Sequence, residues 1–272
     1  MTTDGRPAPP GSPEGGPLGE DQGGEPGRAS GPVAPRRSTR ELGLATGTVV
    51  VGFGILTACL VVFGSLARDV RAKDVFIMDA WATPFLHGMA SPAMDTVMNA
   101  ITTLGTIFVI LPALGILAAW LLRTGRVRSV AFLVVAMLGS FVLQLVLKPL
   151  FARPRPDVAY AALVSDYSFP SGHTLNAVVF YGGVALVTWS LFGRRAGLAS
   201  VAAAAILALA VGVSRIYLGY HFLTDVVGAI LAGIAWLLIA AVAFRARPTW
   251  RRWRARGTPV RPSERPSAVV PR

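Results

Sequence analysis

The stretch FLTDVVGAILAGIAWLLIAAVAF, residues 222–244, carries a single charge, Asp225, in 23 residues. A helix of about 20 apolar residues crosses the ~30 Å hydrocarbon core of a bilayer. In lipid every backbone polar group needs a partner within the protein, so only helices and closed barrels span. The run is too long and too uniformly apolar for a barrel strand, which alternates over about ten residues. It reads as a transmembrane helix.

Five more runs of this kind lie upstream, at residues 42–67, 96–122, 129–147, 174–193 and 196–214. The expected fold is therefore all-α, a polytopic membrane bundle of six transmembrane helices. Composition agrees. The 272-residue chain is 53% hydrophobic and 15% charged, against roughly 25% charged in an average soluble domain. These values exclude a chain disordered throughout, a collagen and a disulfide-rich secreted module. The single cysteine, Cys59, excludes an intramolecular disulfide. Arg36, Arg37 and Arg40 before the first run, and Ser65-Leu66-Ala67 at its end, resemble a signal peptide. Its 26 uncharged residues exceed the roughly 7–15 of a signal core, so it reads as a retained span.

Both ends of the chain differ from this middle. Residues 1–40 hold nine Gly and eight Pro without apolar periodicity. Such a segment buries too little surface to offset its ordering entropy, and the expectation is a disordered tail. The bundle is expected over 41–245 and a basic tail over 246–272. The formal net charge is +12, and residues 245–272 contain nine Arg against one Glu. A basic segment directly after a span marks the cytoplasmic side and touches anionic lipid, so the charge does not indicate a nucleic-acid partner. Arg36, Arg37 and Arg40, then Arg123, Arg126 and Arg128, then Arg194 and Arg195 fall on that same side. Both termini are expected in the cytoplasm. On the opposite side, residues 79–95 read as an interfacial amphipathic stretch with Trp81, Phe85 and Met89 spaced by four, interrupted by Pro84 and Pro92. His87 within it reads as a surface histidine.

The remaining ionisable residues gather at the outer boundary. Asp225 lies inside an apolar run, where an uncompensated acid costs about 2.5–3.5 kcal/mol on insertion scales. Its expected companion is His221, one helical turn earlier. A carboxylate bonded to one ring nitrogen fixes the tautomer and leaves the other nitrogen as an oriented base or nucleophile. A structural His–Asp pair is the alternative. Pro170 and Gly172 bend the chain before the fourth span, whose N-terminus offers backbone N–H groups to an anion, with the Ser171 hydroxyl beside them. An ordinary helix cap is the alternative there. Lys148 alone reads as a snorkelling side chain, and Arg153 and Arg155 as solvated loop charges. Taken together, Lys148 as a point charge and Arg155 and Arg215 as planar forks would surround a dianion. No cluster has metal-ligand spacing, so neither a metal nor another cofactor is expected.

In chain order, Lys148-x6-Arg155-Pro156, Pro170-Ser171-Gly172-His173 and Ser214-Arg215-x5-His221-x3-Asp225 resemble the three signature motifs of the type 2 phosphatidic acid phosphatase (PAP2) superfamily. The resemblance covers roughly residues 79–244. Six spans with both termini inside are similar to its integral-membrane branch, the lipid phosphate phosphatases. The resemblance implies that His221 attacks phosphorus, Asp225 orients it, and His173 protonates the leaving oxygen and then activates water. It implies that Lys148, Arg155, Ser171, the Gly172 N–H and Arg215 hold the phosphoryl oxygens. The implied activity is metal-independent hydrolysis of a lipid phosphate at the extracytoplasmic face of the plasma membrane. Phosphatidate, phosphatidylglycerol phosphate and polyprenyl diphosphates are the candidate substrates. His221 must be neutral to attack and His173 charged to donate, so kcat is expected to be bell-shaped in pH. Two rival readings stand beside this one. A phosphotransferase would use the same His–Asp site, and a transporter would use intramembrane charges. The charges cluster at one boundary rather than the midplane, and the halves show no repeat, which weighs against transport. The sequence carries no signal for oligomeric state.

Overall fold

The computed structural model describes residues 39–73, 76–157 and 167–256, with side chains over 49–73, 76–157 and 167–244. The chain divides into two units between Leu44 and Ala45. Of the first, only helical backbone from residue 39 is described; the bundle and its site belong to the second. The expected tail over 1–40 falls, as far as residue 38, outside the described residues, as does the basic tail beyond Arg256.

Among the described residues the protein is all helical, as expected. Seven helices follow one another: α1 (Thr39–Ala72), α2 (Ile77–His87), α3 (Pro92–Thr103), α4 (Ile107–Arg123), α5 (Val127–Phe151), α6 (Gly172–Tyr217) and α7 (Leu223–Arg256). By length and apolarity four of them can cross a membrane: α1, α5, α6 and α7. The pair α3 and α4, bent by 44°, makes a fifth if it counts as one span. The count differs from six at two places.

The run 96–122 is not one helix. It breaks between Thr103 and Ile107, where a Cβ on Gly105 would lie 2.8 Å from the His173 carbonyl oxygen. Only glycine lets the two backbones approach this closely. The runs 174–193 and 196–214 form a single 46-residue element that leaves helical geometry at Gly193, with φ 80° and ψ −169°. In a straight helix, at about 1.5 Å per residue, Thr174 and Gly212 would stand nearly 60 Å apart. Instead a Cβ on Gly212 would sit 3.7 Å from Thr174. Ala177, Val178, Ala208 and Val211 share one buried cluster, so the two halves of α6 pack alongside each other.

The core runs through α4, α5, α6 and α7, with Leu121, Leu133, Ala136, Leu175, Val179 and Ala229 buried. Lipid supplies no hydrophobic drive between helices, so close packing and interhelical hydrogen bonds hold the bundle. Trp236 Nε1 donates to the Ala136 carbonyl at 2.8 Å, tying α7 to α5. Asn176 Oδ1 on α6 accepts from Ser140 Oγ and Gln144 Nε2 on α5, each at 2.8 Å. Large apolar side chains such as Phe53, Leu145, Ile206 and Val242 are exposed, as a lipid-facing surface requires.

The amphipathic stretch over 79–95 is parts of two short helices rather than one. Pro84 lies within α2, and Pro92 opens α3, where Ser91 caps by accepting from the Met94 N–H at 3.3 Å. Trp81 and Phe85 stack with centroids 4.8 Å apart and are exposed, whereas Asp79 is buried. His87 Nδ1 donates to the Tyr217 carbonyl at 3.0 Å, which makes it a brace between α2 and the end of α6.

Candidate active site

Local chain geometry delivers the charged residues to one place. Helix α5 ends at Phe151; Ala152 adopts left-handed φ 45° and donates to the Lys148 carbonyl at 2.9 Å. The following Arg153-Pro154-Arg155-Pro156 cannot continue a helix. Ser168 staples the return of the chain: its N–H donates to the Arg153 carbonyl and its hydroxyl to the Pro154 carbonyl, both at 2.9 Å. Helix α6 starts at Gly172, and the N–H groups of its first turn have no intrahelical acceptor. At the other end of α6, Gly219 takes left-handed φ 71°, and the N–H groups of Tyr220 and His221 both donate to the Arg215 carbonyl. That turn aims His221 back into the bundle.

A cavity of about 480 Å³ results, lined by Lys148, Arg155, Gly172, His173, Arg215 and His221. Ile107, Phe108 and Phe141 add an apolar share of its lining. These six charged or small residues are the sequence candidates except Ser171 and Asp225, which are fully buried and outside the lining. The Ser171 hydroxyl lies 3.0 Å from Thr174 Oγ1, and its N–H donates to the Asp225 carbonyl at 3.1 Å.

His221 sits between a cation and an anion. Arg155 Nη1 donates to the Tyr220 carbonyl at 2.7 Å and lies 3.3 Å from His221 Nε2. A guanidinium can only donate, so Nε2 is the accepting nitrogen and the neutral ring carries its proton on Nδ1. Nδ1 faces Asp225 Oδ2 at 3.5 Å and has no hydrogen bond in this arrangement. Loose contacts of this kind are common before substrate binds. Burial pushes the imidazole down to about 4, with Arg215 and Arg155 acting in the same direction and Asp225 against it. The ring is therefore neutral at neutral pH. Arg215 is buried, donates to Thr102 Oγ1 at 3.1 Å and lies 4.1 Å over the Tyr220 ring.

Three residues matter here that sequence reasoning did not select. Arg153 is not a solvated loop charge. Its Nη1 donates to Asp225 Oδ1 at 2.6 Å and Thr224 Oγ1 at 2.7 Å, and its Nη2 to Asp79 Oδ2 at 2.7 Å. Asp79 also accepts from the Thr224 N–H at 2.9 Å and from its hydroxyl at 2.6 Å. The Phe222 ring covers the guanidinium at 4.3 Å. No local spacing signals this cluster, because Asp79 and Arg153 are 74 residues apart.

A family model described as "PAP2 superfamily" matches residues 129–249. Phosphatidylglycerophosphatase B of Bacillus subtilis is 34% identical over 171 residues, covering 62% of this chain and 84% of that protein. The chain belongs to the PAP2 superfamily. Another relative, undecaprenyl-diphosphatase BcrC of Bacillus subtilis, is 29% identical over a match that covers 55% of this chain and 75% of that protein. Among solved structures, the transmembrane PAP2-type phosphatidylglycerolphosphate phosphatase from Bacillus subtilis superposes with a TM-score of 0.65 at 28% identity. It covers 70% of this chain and 96% of its own. With its long apolar helices and membrane relatives, this PAP2 chain is an integral membrane protein.

Proposed function

We propose that this PAP2 protein is a metal-independent phosphatase of lipid phosphates that works through a phosphohistidine on His221. The observation that carries this is the state of His221: neutral, protonated on Nδ1 toward Asp225, and presenting Nε2 beside Arg155 in the cavity.

The substrate phosphate would bind among Lys148, Arg155, Arg215 and the N–H groups at Gly172, with Ser171 fixing that helix start. Fixed donors in a water-poor cup stabilise the charge of a transferring phosphoryl group, which is most of what such catalysis needs. The Nε2 lone pair attacks phosphorus while the bond to the lipid oxygen breaks. The bound phosphate dianion offsets the cations around His173 and lets that ring carry the proton it gives to the lipid oxygen, and Asp225 stabilises the imidazolium-like ring of His221. Water then attacks the phosphohistidine, His173 takes the proton from the water, and phosphate leaves with His221 restored. Among the described residues no group of three or more His, Cys, Asp or Glu is arranged to hold a metal ion, and cations of the chain itself surround the cavity.

The apolar lining from Ile107, Phe108 and Phe141 fits a substrate whose tail stays in the bilayer. Phosphatidylglycerol phosphate, a polyprenyl diphosphate and phosphatidate are the lipids proposed. The topology proposed is six crossings: α1, the broken α3–α4 pair, α5, both halves of α6, and α7. The Arg-rich loops and tail support a reading with both termini in the cytoplasm, the tail against anionic lipid and the cavity at the extracytoplasmic face of the plasma membrane. Residues 41–245 form the catalytic unit in this proposal, between the two tails.

The test is phosphate release by purified protein from each of the three lipids, with EDTA present. Release from at least one lipid, lost in His221→Ala, is expected. Release that persists in His221→Ala overturns the nucleophile, and no release from any of the three by folded protein overturns the lipid phosphatase.

A further inference from the structure

The cluster behind the cavity carries a second conclusion. We infer that Asp79 and Arg153 are a positioning pair that aims the Asp225 carboxylate at His221 and sets the charge His221 feels. This inference rests on the role proposed for His221.

Asp225 is held at both oxygens. Oδ1 accepts from Arg153 at 2.6 Å, and Oδ2 accepts from the Phe222 N–H at 2.9 Å while facing His221 Nδ1. With those two bonds made, the plane of the carboxylate is fixed. Arg153 is fixed in turn by Asp79 and Thr224 and by the ring of Phe222. Asp79, Arg153 and Asp225 have side chains 5%, 12% and 0% exposed, so their charges are poorly screened. Arg153 is absent from the cavity lining, which separates it from the cations that would meet phosphate.

Charge balance explains why two acids are present. An Arg153–Asp225 pair alone would be neutral and would offer a developing imidazolium little. With Asp79 added the group carries net −1, so Asp225 keeps a full unit of charge for His221. The other charged or titratable groups near His221 are Arg155 after α5, Lys148 on α5, and His173 and Arg215 on α6. They are the same in every variant below.

The chain has only three histidines, His87, His173 and His221, so imidazole ¹⁵N resonances of the full-length protein in detergent can be titrated one by one. His221→Ala assigns the His221 signal. Asp79→Asn removes a negative charge and is expected to lower the His221 midpoint; Arg153→Gln removes a positive charge and is expected to raise it. Each shift is about half a pH unit or more for charges at this depth. The double variant restores the net −1 and is expected to return close to the wild-type midpoint. In turnover, each single variant is expected to lose about tenfold in kcat with KM within about twofold, the pattern of an interaction made chiefly in the transition state.

Shifts of the same sign in the two single variants, or no shift in either, overturn the inference. If a single variant fails to fold, the double variant decides, since it keeps the net −1 of the wild-type group. A wild-type midpoint there supports the pair, and a displaced one overturns it. Turnover by His221→Ala would instead remove the proposed chemistry while leaving the titration result intact.

Discussion

Around His221 the charged residues face two ways. Lys148, Arg155, Arg215 and His173 line an open cavity of about 480 Å³. Asp79 and Asp225 are buried and outside its lining, and each is bonded to the partly buried Arg153. Arg153 and Arg155 stand two residues apart in one Arg-Pro-Arg-Pro run, yet they belong to different groups. Arg153 meets two carboxylates; Arg155 meets a backbone carbonyl and the accepting nitrogen of His221. Identical residue types therefore serve different ends, and the neighbour decides which. Cations around a cavity can meet a dianion, whereas a cation between buried acids would shape the residue proposed to do the chemistry.

The comparison can be broken most sharply at His221. Replacing it with Ala is expected to lower kcat at least about a thousandfold, as loss of a nucleophile does; steady-state phosphate release reads it. Arg215→Ala or Arg155→Ala is expected to cost about 100- to 1000-fold in kcat/KM, the scale of losing one donor to a charged transition state. Arg153→Ala should lose less activity and more stability. It leaves two buried acids without their cation, a loss of about 3–5 kcal/mol, which a thermal melt in detergent detects. A pH profile sharpens the account of His221. Because burial sets its imidazole at about 4, the ring stays neutral and nucleophilic from pH 7 down to 5. After correction for substrate ionisation, the acid limb of kcat/KM is expected near 4 rather than near the ordinary 6.5. The smallest effect belongs to the N-terminal tail: deleting residues 1–35 is expected to leave detergent-solubilised activity unchanged.

The helical runs were legible because about 20 uniformly apolar residues are too long for a barrel strand, which leaves the helix as their solution in lipid. The turn at Gly193 was legible as well, because Arg194 and Arg195 separate two apolar runs there. The break within 96–122 was not. Gly105 looks like any other glycine in an apolar run, and the backbone it lets approach, that of His173, is distant in sequence. The cavity residues were legible because Lys148, Arg155, His173, Arg215 and His221 each sit in a short motif at a span boundary. Asp79 was not legible for a reason particular to membranes. Its neighbours Trp81 and Phe85 give the stretch the pattern of an interfacial helix, and they are indeed exposed. The polar side of α2 turns inward, to Arg153 and Thr224. A long-range partnership between one acid and one Arg has no periodicity to reveal it.

The central claim is a covalent phosphoryl group on His221. His173→Ala, given an aryl phosphate whose leaving group needs no proton, should form that intermediate and hydrolyse it slowly. Quenching in alkali and mapping by mass spectrometry is expected to find one phosphoryl group, on His221, stable to base and labile to acid. Sustained turnover with no phosphoenzyme, or a phosphoryl group on a different residue, would contradict the account.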